Sequence, residues 1–130
     1  MKFLCLICAE KVMEQLPEAD AEKHFEEYRE FTDSIRSSGH FIGCNRLLPP
    51  QAATTVRVRQ GRVSISDGPY VETKEQLGGY YLIEARDLNK AIQIASRIPG
   101  AWIGCVEVRP IAEDAQTLRA LGMAASDTPL

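Results

Sequence analysis

Two strand–helix–strand runs, separated by a short hairpin, constrain this chain more than any other feature of its sequence. Residues 2–8 are almost continuously apolar, as a central strand buried on both faces requires. Pro17 and the carboxylates Glu18, Asp20 and Glu22 then open a helix, because negative charge is favoured at the positive end of the helix macrodipole. Ala21, Phe25, Tyr28, Phe31 and Ile35 recur at helical spacing, and Gly39 stops the run. Residues 40–48 read as the next strand, ended by Pro49-Pro50. The second run repeats the order: a strand over 80–85, Asp87 as N-cap, a stripe of Leu88, Ala91, Ile92 and Ala95, then Pro99-Gly100. A strand over 102–109 follows, with Trp102, Gly104, Val106 and Val108 on one face.

Between the halves, residues 54–65 alternate apolar and polar around Gln60-Gly61, the pattern of a β-hairpin. The order β-α-β, hairpin, β-α-β predicts an α+β fold: a ferredoxin-like split βαβ sandwich with an inserted β-hairpin. Both helices would cover one sheet face. Apolar residues occur at both parities in 2–8 and 102–108, so the second face needs a cover as well. A second copy of the chain supplies one, and the fold is expected to be dimeric with packed sheets. Residues 1–112 are read as one domain. Residues 113–130 are read as a short helix through Ala115, Leu118 and Leu121, followed by a loose tail.

The charge balance narrows the partners. A net charge of −3 over 130 residues argues against nucleic acid, whose binders carry a basic stripe. Arg57, Arg59 and Arg62 on the hairpin read as the charge that keeps an edge strand from aggregating. The run FLCLICA behind Met1-Lys2 is too short for a membrane span and lacks a small-x-small cleavage pattern, so it is read as a strand rather than a signal peptide. Cys5-Leu-Ile-Cys8 has the spacing of a metal or redox motif, but residues three apart in a strand point to opposite faces, and no second pair accompanies it. Cys5, Cys8, Cys44 and Cys105 are therefore read as small apolar core residues of a reduced, cytoplasmic protein with no metal, cofactor or membrane partner.

Chemistry concentrates in SISDGPYVETKEQLGGYYLIEA, residues 64–85. Asp67-Gly68-Pro69 is strong turn chemistry, and it also aims Asp67 out of a strand end as a hydrogen-bond acceptor or base. Glu72, Lys74 and Glu75 lie close enough to shift one another's ionisation. The candidate catalytic residues are accordingly Asp67 and Glu75, and the candidate ligand-binding residues Tyr28, Tyr70 and Lys74. Gly78-Gly79 reads as a bulge at a strand start or as a close approach to a ligand. His24, at the edge of the apolar stripe of the first helix, reads as a surface or packing residue. No P-loop and no Gly-x-Ser-x-Gly elbow occurs.

The run VRVRQGRVSISDGPYVETKEQLGGYYLIEARDLNKAIQIASRIP, with Cys105-Val106-Glu107-Val108-Arg109-Pro110-Ile111 after it, resembles the DGPF-domain group of the YCII-related family over residues 1–112. The resemblance implies a ferredoxin-like α+β fold and a dimer with packed sheets. It also implies neighbourhood with sigma factors of the extracytoplasmic-function type, and a suspected activity that uses a His and an Asp. In this sequence the His position falls at Tyr28 and the Asp position at Ile98, with His24 one helical turn before Tyr28. Two functions follow as expectations: a protein, possible enzyme included, that binds a small polar molecule in a cleft beside the 67–76 loop, or a non-catalytic dimeric module linked to sigma-factor-dependent transcription.

Overall fold

The computed structural model describes residues 1–10 and 17–123. Six strands and three α-helices follow in the order β1 (Lys2–Ala9), α1 (Glu18–Ser37), β2 (Phe41–Arg46), β3 (Thr54–Arg59), β4 (Arg62–Asp67), β5 (Gln76–Glu84), α2 (Leu88–Ala95), β6 (Cys105–Pro110) and α3 (Ala115–Ala120). The main sheet is antiparallel in the order β2-β5-β1-β6, and β3-β4 form a separate two-stranded ribbon. This is the expected split βαβ arrangement: each half contributes one inner and one outer strand, and the hairpin stands between the halves.

The core lies on one face of the sheet. Phe3 and Cys5 of β1 and Tyr81 and Ile83 of β5 meet Phe31 and Ile35 of α1 and Ala91, Ile94 and Ala95 of α2, with Ile98 closing the end. Both helices therefore cover the same face. On the other face the alternate residues Leu4, Leu6 and Tyr80 are half-buried, and Leu82 is buried. Local chemistry explains the ends of α2 and α3. The Asp87 carboxylate accepts from Lys90 N–H at 2.8 Å, and that of Asp114 from Thr117 N–H at 2.9 Å.

The largest boundary differences from the sequence reading fall in three strands. The last strand begins at Cys105, and residues 99–102 form a 3₁₀ turn after Pro99, which leaves Trp102 82% exposed. Pro99 presets the backbone for the first turn of a helix, and that won over the apolar alternation. The fifth strand starts at Gln76, four residues earlier than expected, because Leu77 and Gly79 pair with Cys8 and Ile7 while Gly78 is the extra residue of a bulge. The second strand covers only Phe41–Arg46 of the expected 40–48. The cysteines are also not uniformly core residues: Cys5 is buried, Cys8 and Cys44 are half-buried, and Cys105 is exposed. The loose tail expected over 123–130 lies, except for Met123, outside the described residues.

The hairpin is closed at its base. Gly68 N–H donates to Ala53 O at 2.7 Å, and the Thr55 hydroxyl donates to Gly68 O at 2.7 Å. Val56 pairs with Ile65, and Val58 with Val63. All four project on one face and each is more than half exposed.

Candidate functional site

A cleft of about 320 Å³ opens between the N-terminal half of α1 and the β2–β5 edge of the sheet. Phe25, Tyr28, Leu47, Leu77 and Ile103 supply apolar walls, and His24, Arg46 and Gln76 bring polar groups. Helical spacing is the reason that one wall exists: Ala21, His24, Phe25 and Tyr28 fall on a single face of α1. The opposing wall depends on a close approach between strands. A Cβ at Gly79 would lie 2.8 Å from Asn45 O on β2, so this position takes glycine for the strand pairing itself.

Tyr28 is the hinge of the site. Its hydroxyl accepts from Gly100 N–H at 3.0 Å and so ties α1 to the 3₁₀ turn that leads into Ile103. Burial, opposed by that hydrogen bond, pushes the Tyr28 phenol up to about 12, and Tyr28 stays protonated at neutral pH. Its ring stacks parallel to Tyr81 at 6.4 Å and meets the His24 ring edge-on at 4.9 Å. Thr32 donates to Tyr28 O at 2.7 Å. Thr32 has a single hydroxyl proton, so its 2.6 Å contact with Tyr81 is a bond that the Tyr81 phenol donates. Burial lowers the His24 imidazole below its ordinary range, partly offset by Glu27. A neutral His24 at pH 7 has one donor and one acceptor nitrogen. The Arg46 guanidinium lies 5.3 Å from the centre of the Phe25 ring, a cation–π contact at the mouth of the cleft.

The candidate residues fall in three places. Tyr28 lines the cleft. Lys74 stands at its rim, 3.4 Å from the carboxylate of Glu10, which lines it. Asp67, Tyr70 and Glu75 are not among the lining residues. Asp67 ends β4 at the closed base of the hairpin, Tyr70 is exposed, and Glu75 accepts from the Cys105 thiol at 2.9 Å. The cleft thus opens beside Gln76, the last residue of the expected loop, rather than onto the loop as a whole. His24 and Arg46 are the polar groups that sequence reasoning did not select. The signal for His24 was its place one turn before Tyr28. Arg46 had none, since its role depends on how β2 crosses α1. Among the described residues no three His, Cys, Asp or Glu side chains gather as a metal ion would need, and no helix is long and apolar enough to cross a membrane.

Fold and cleft together define a ferredoxin-like α+β domain with an aromatic-walled pocket beside its first helix. Within that class the chain belongs to the YCII-related domain family, whose pattern matches residues 1–114. It is also similar to an uncharacterized protein of Rhizobium meliloti (strain 1021), 45% identical over 69 residues, a span that is 52% of this chain and 56% of the relative. The match therefore covers just over half of the relative's length.

Proposed function

We propose that the protein binds a small molecule with a flat apolar body and an anionic end, held in the cleft between α1 and the β2–β5 edge. The observation that carries this reading is the lining: aromatic and aliphatic walls with Arg46 and His24 as polar groups, the usual composition of a small-molecule site. The body of the ligand stacks against Phe25 and Tyr28, and the anion pairs with Arg46. His24, neutral at pH 7, offers a hydrogen bond or accepts a proton; any turnover rests on it. Asp67 and Tyr70 serve the hairpin turn in this reading. The cytoplasm, where four free thiols persist, is the compartment that suits it.

A fragment screen with aryl carboxylates, followed by amide chemical shifts, tests the proposal. Binders are expected to shift Tyr28, Leu77 and Gly79, and to weaken about tenfold or more in Arg46→Gln, the loss expected when a charge-assisted contact is removed. Hits that map elsewhere, or that ignore Arg46→Gln, would sink it.

A second reading, a non-catalytic dimeric module attached to transcription control, draws on the bare apolar hairpin face of Val56, Val58, Val63 and Ile65. A second copy of the chain is the occupant this reading assigns to that face. Sedimentation equilibrium is expected to give twice the chain mass for the native protein and a single chain mass for Val58→Lys/Ile65→Lys. A native monomer at micromolar concentration would discard it.

A further inference from the structure

Cys8 and Cys105 are directly opposed in the β1–β6 ladder. They lie on the sheet face opposite the cleft, since Ile7 and Ala9, the neighbours of Cys8, line the cleft itself. Opposed residues of an antiparallel pair have Cα atoms about 4.5–5.5 Å apart. That spacing falls inside the range of roughly 4.4–6.8 Å that a disulfide spans without backbone movement. The other two cysteines cannot compete. Cys5 is buried on the core face, and Cys44 is on β2, separated from β1 by β5. Cys105 is exposed, which gives a reagent access to one sulfur of the pair.

We propose that Cys8 and Cys105 are a redox-active cross-strand dithiol that closes to a disulfide by exchange with a low-molecular-weight disulfide, and that Glu75 restrains it. In the first step the Cys105 thiolate attacks one sulfur of R–S–S–R, and R–S⁻ leaves and takes up a proton. In the second, Cys8 gives up its proton and attacks the Cys105 sulfur of the mixed disulfide, expelling a second R–SH. Two protein thiols are oxidised by two electrons and one R–S–S–R is reduced to two R–SH.

Glu75 sets the rate. Its carboxylate accepts from Cys105 Sγ at 2.9 Å, and burial first, then the charges of Glu75 and Glu107, disfavour the Cys8 thiolate. Chiefly through Glu75, the Cys105 thiol is pushed up to about 11. Removing the carboxylate takes away the largest cause and lowers the thiol toward the ordinary value near 9, while burial and Cys8 still hold it up. Over the full interval the thiolate fraction would rise about a hundredfold and nucleophilicity fall about tenfold, with a Brønsted slope near 0.5. The net expectation is a faster rate, by at most about tenfold.

The test incubates the full-length protein in a series of glutathione redox buffers at pH 7, quenches with acid, and maps disulfides by peptide mass. The expected result is one intramolecular Cys8–Cys105 bond that is reversed by reduced glutathione. Cys8→Ser is expected to trap a Cys105–glutathione adduct instead, and Glu75→Gln to oxidise faster, by up to about tenfold, with the same secondary structure by circular dichroism. No Cys8–Cys105 bond in the most oxidising buffer, or a bond between two chains instead, would overturn the dithiol. An unchanged rate in Glu75→Gln would overturn the restraint by Glu75.

Discussion

Replacing Tyr28 with phenylalanine deletes a single oxygen, and the structure says where the loss is felt. The Gly100 amide donates to that oxygen at 3.0 Å, and Gly100 is buried. Gly100 lies in the 3₁₀ turn of residues 99–102, whose first amides have no partner within the turn, so the Tyr28→Phe change would leave this donor unsatisfied. A stranded donor of this kind costs about 1–3 kcal/mol, and in a part-buried setting the lower half of that range applies. With an unfolding entropy of roughly 2 cal/mol/K per residue, each kcal/mol lowers Tm of a chain this size by about 4 °C. Tyr28→Phe is therefore expected to lower Tm by about 4–8 °C by calorimetry. Gly100→Ala provides the cross-check. Its Cβ would lie 2.6 Å from the Tyr28 oxygen and 2.6 Å from Ile7 Cγ2, so overpacking of about 1–3 kcal/mol is expected. The double variant removes one of those two clashes and already lacks the hydrogen bond. It should cost less than the sum of the single variants by at least about 0.5 kcal/mol in urea melts. A Tyr28→Phe Tm within about 1 °C of the native value, or strict additivity in the cycle, would refute the hinge assigned to Tyr28.

Other outcomes follow from the same geometry. The folded Tyr28 phenol titrates near 12, above the ordinary value of 10, so the unfolded chain ionises first. The stability tied to its neutral form is intact below about pH 10 and changes as pH rises toward 12: the unfolded chain sheds its proton first, which lowers stability across that window. Alkaline urea melts of Tyr28→Phe should show a smaller loss there. His24 is displaced downward by burial, so the unfolded chain takes up the proton first as pH falls through its ordinary 6.5, and stability declines from there. Imidazole resonances in an NMR titration should place the His24 midpoint below 6.5, and lower again in Glu27→Gln, which removes the opposing charge. Asp87→Ala removes the cap on Lys90 N–H and should cost about 1 kcal/mol of stability in urea melts, with no change in fragment binding.

The fold was legible because each half of the chain repeats a local rule. The acidic start of α1, the Asp87 cap and the alternation through 54–65 all act over a few residues, and each reappears in the structure. Boundaries went astray where a non-local partner or a turn preference decided. Gln76–Gly79 look like loop until β1 pairs with them, and Trp102 looks like strand until Pro99 bends the chain. The site was legible only through Tyr28 and, at the rim, Lys74. Polar residues concentrated in 67–75 drew attention to the hairpin's return, whereas the cleft is a meeting of α1 with β2 and β5, elements brought together from distant parts of the sequence. Arg46 over Phe25 and Cys8 beside Cys105 are contacts of that kind, and no local pattern encodes them.

The resemblance raised a His–Asp chemistry, and the two positions argue against carrying it to this chain. At the first, Tyr28 is protonated up to about 12 and its hydroxyl oxygen is engaged by Gly100, so it neither accepts a proton nor reaches freely toward a ligand. At the second, Ile98 is fully buried among the residues that close the core. A carboxylate there would have to lose its hydration among the apolar residues of the core cluster, a cost far above that of an ordinary surface exchange. Ile98→Asp is accordingly expected to unfold the domain rather than to create an acid–base pair, read as loss of the cooperative thermal transition at neutral pH. A folded Ile98→Asp protein with a native-like Tm would show that the end of the core is wet, and would return the His–Asp chemistry to consideration with His24 as its base. Without that, what the cleft retains is a neutral imidazole, a guanidinium, the Lys74-paired carboxylate of Glu10 and aromatic walls, the set on which the proposed binding of an aryl anion rests.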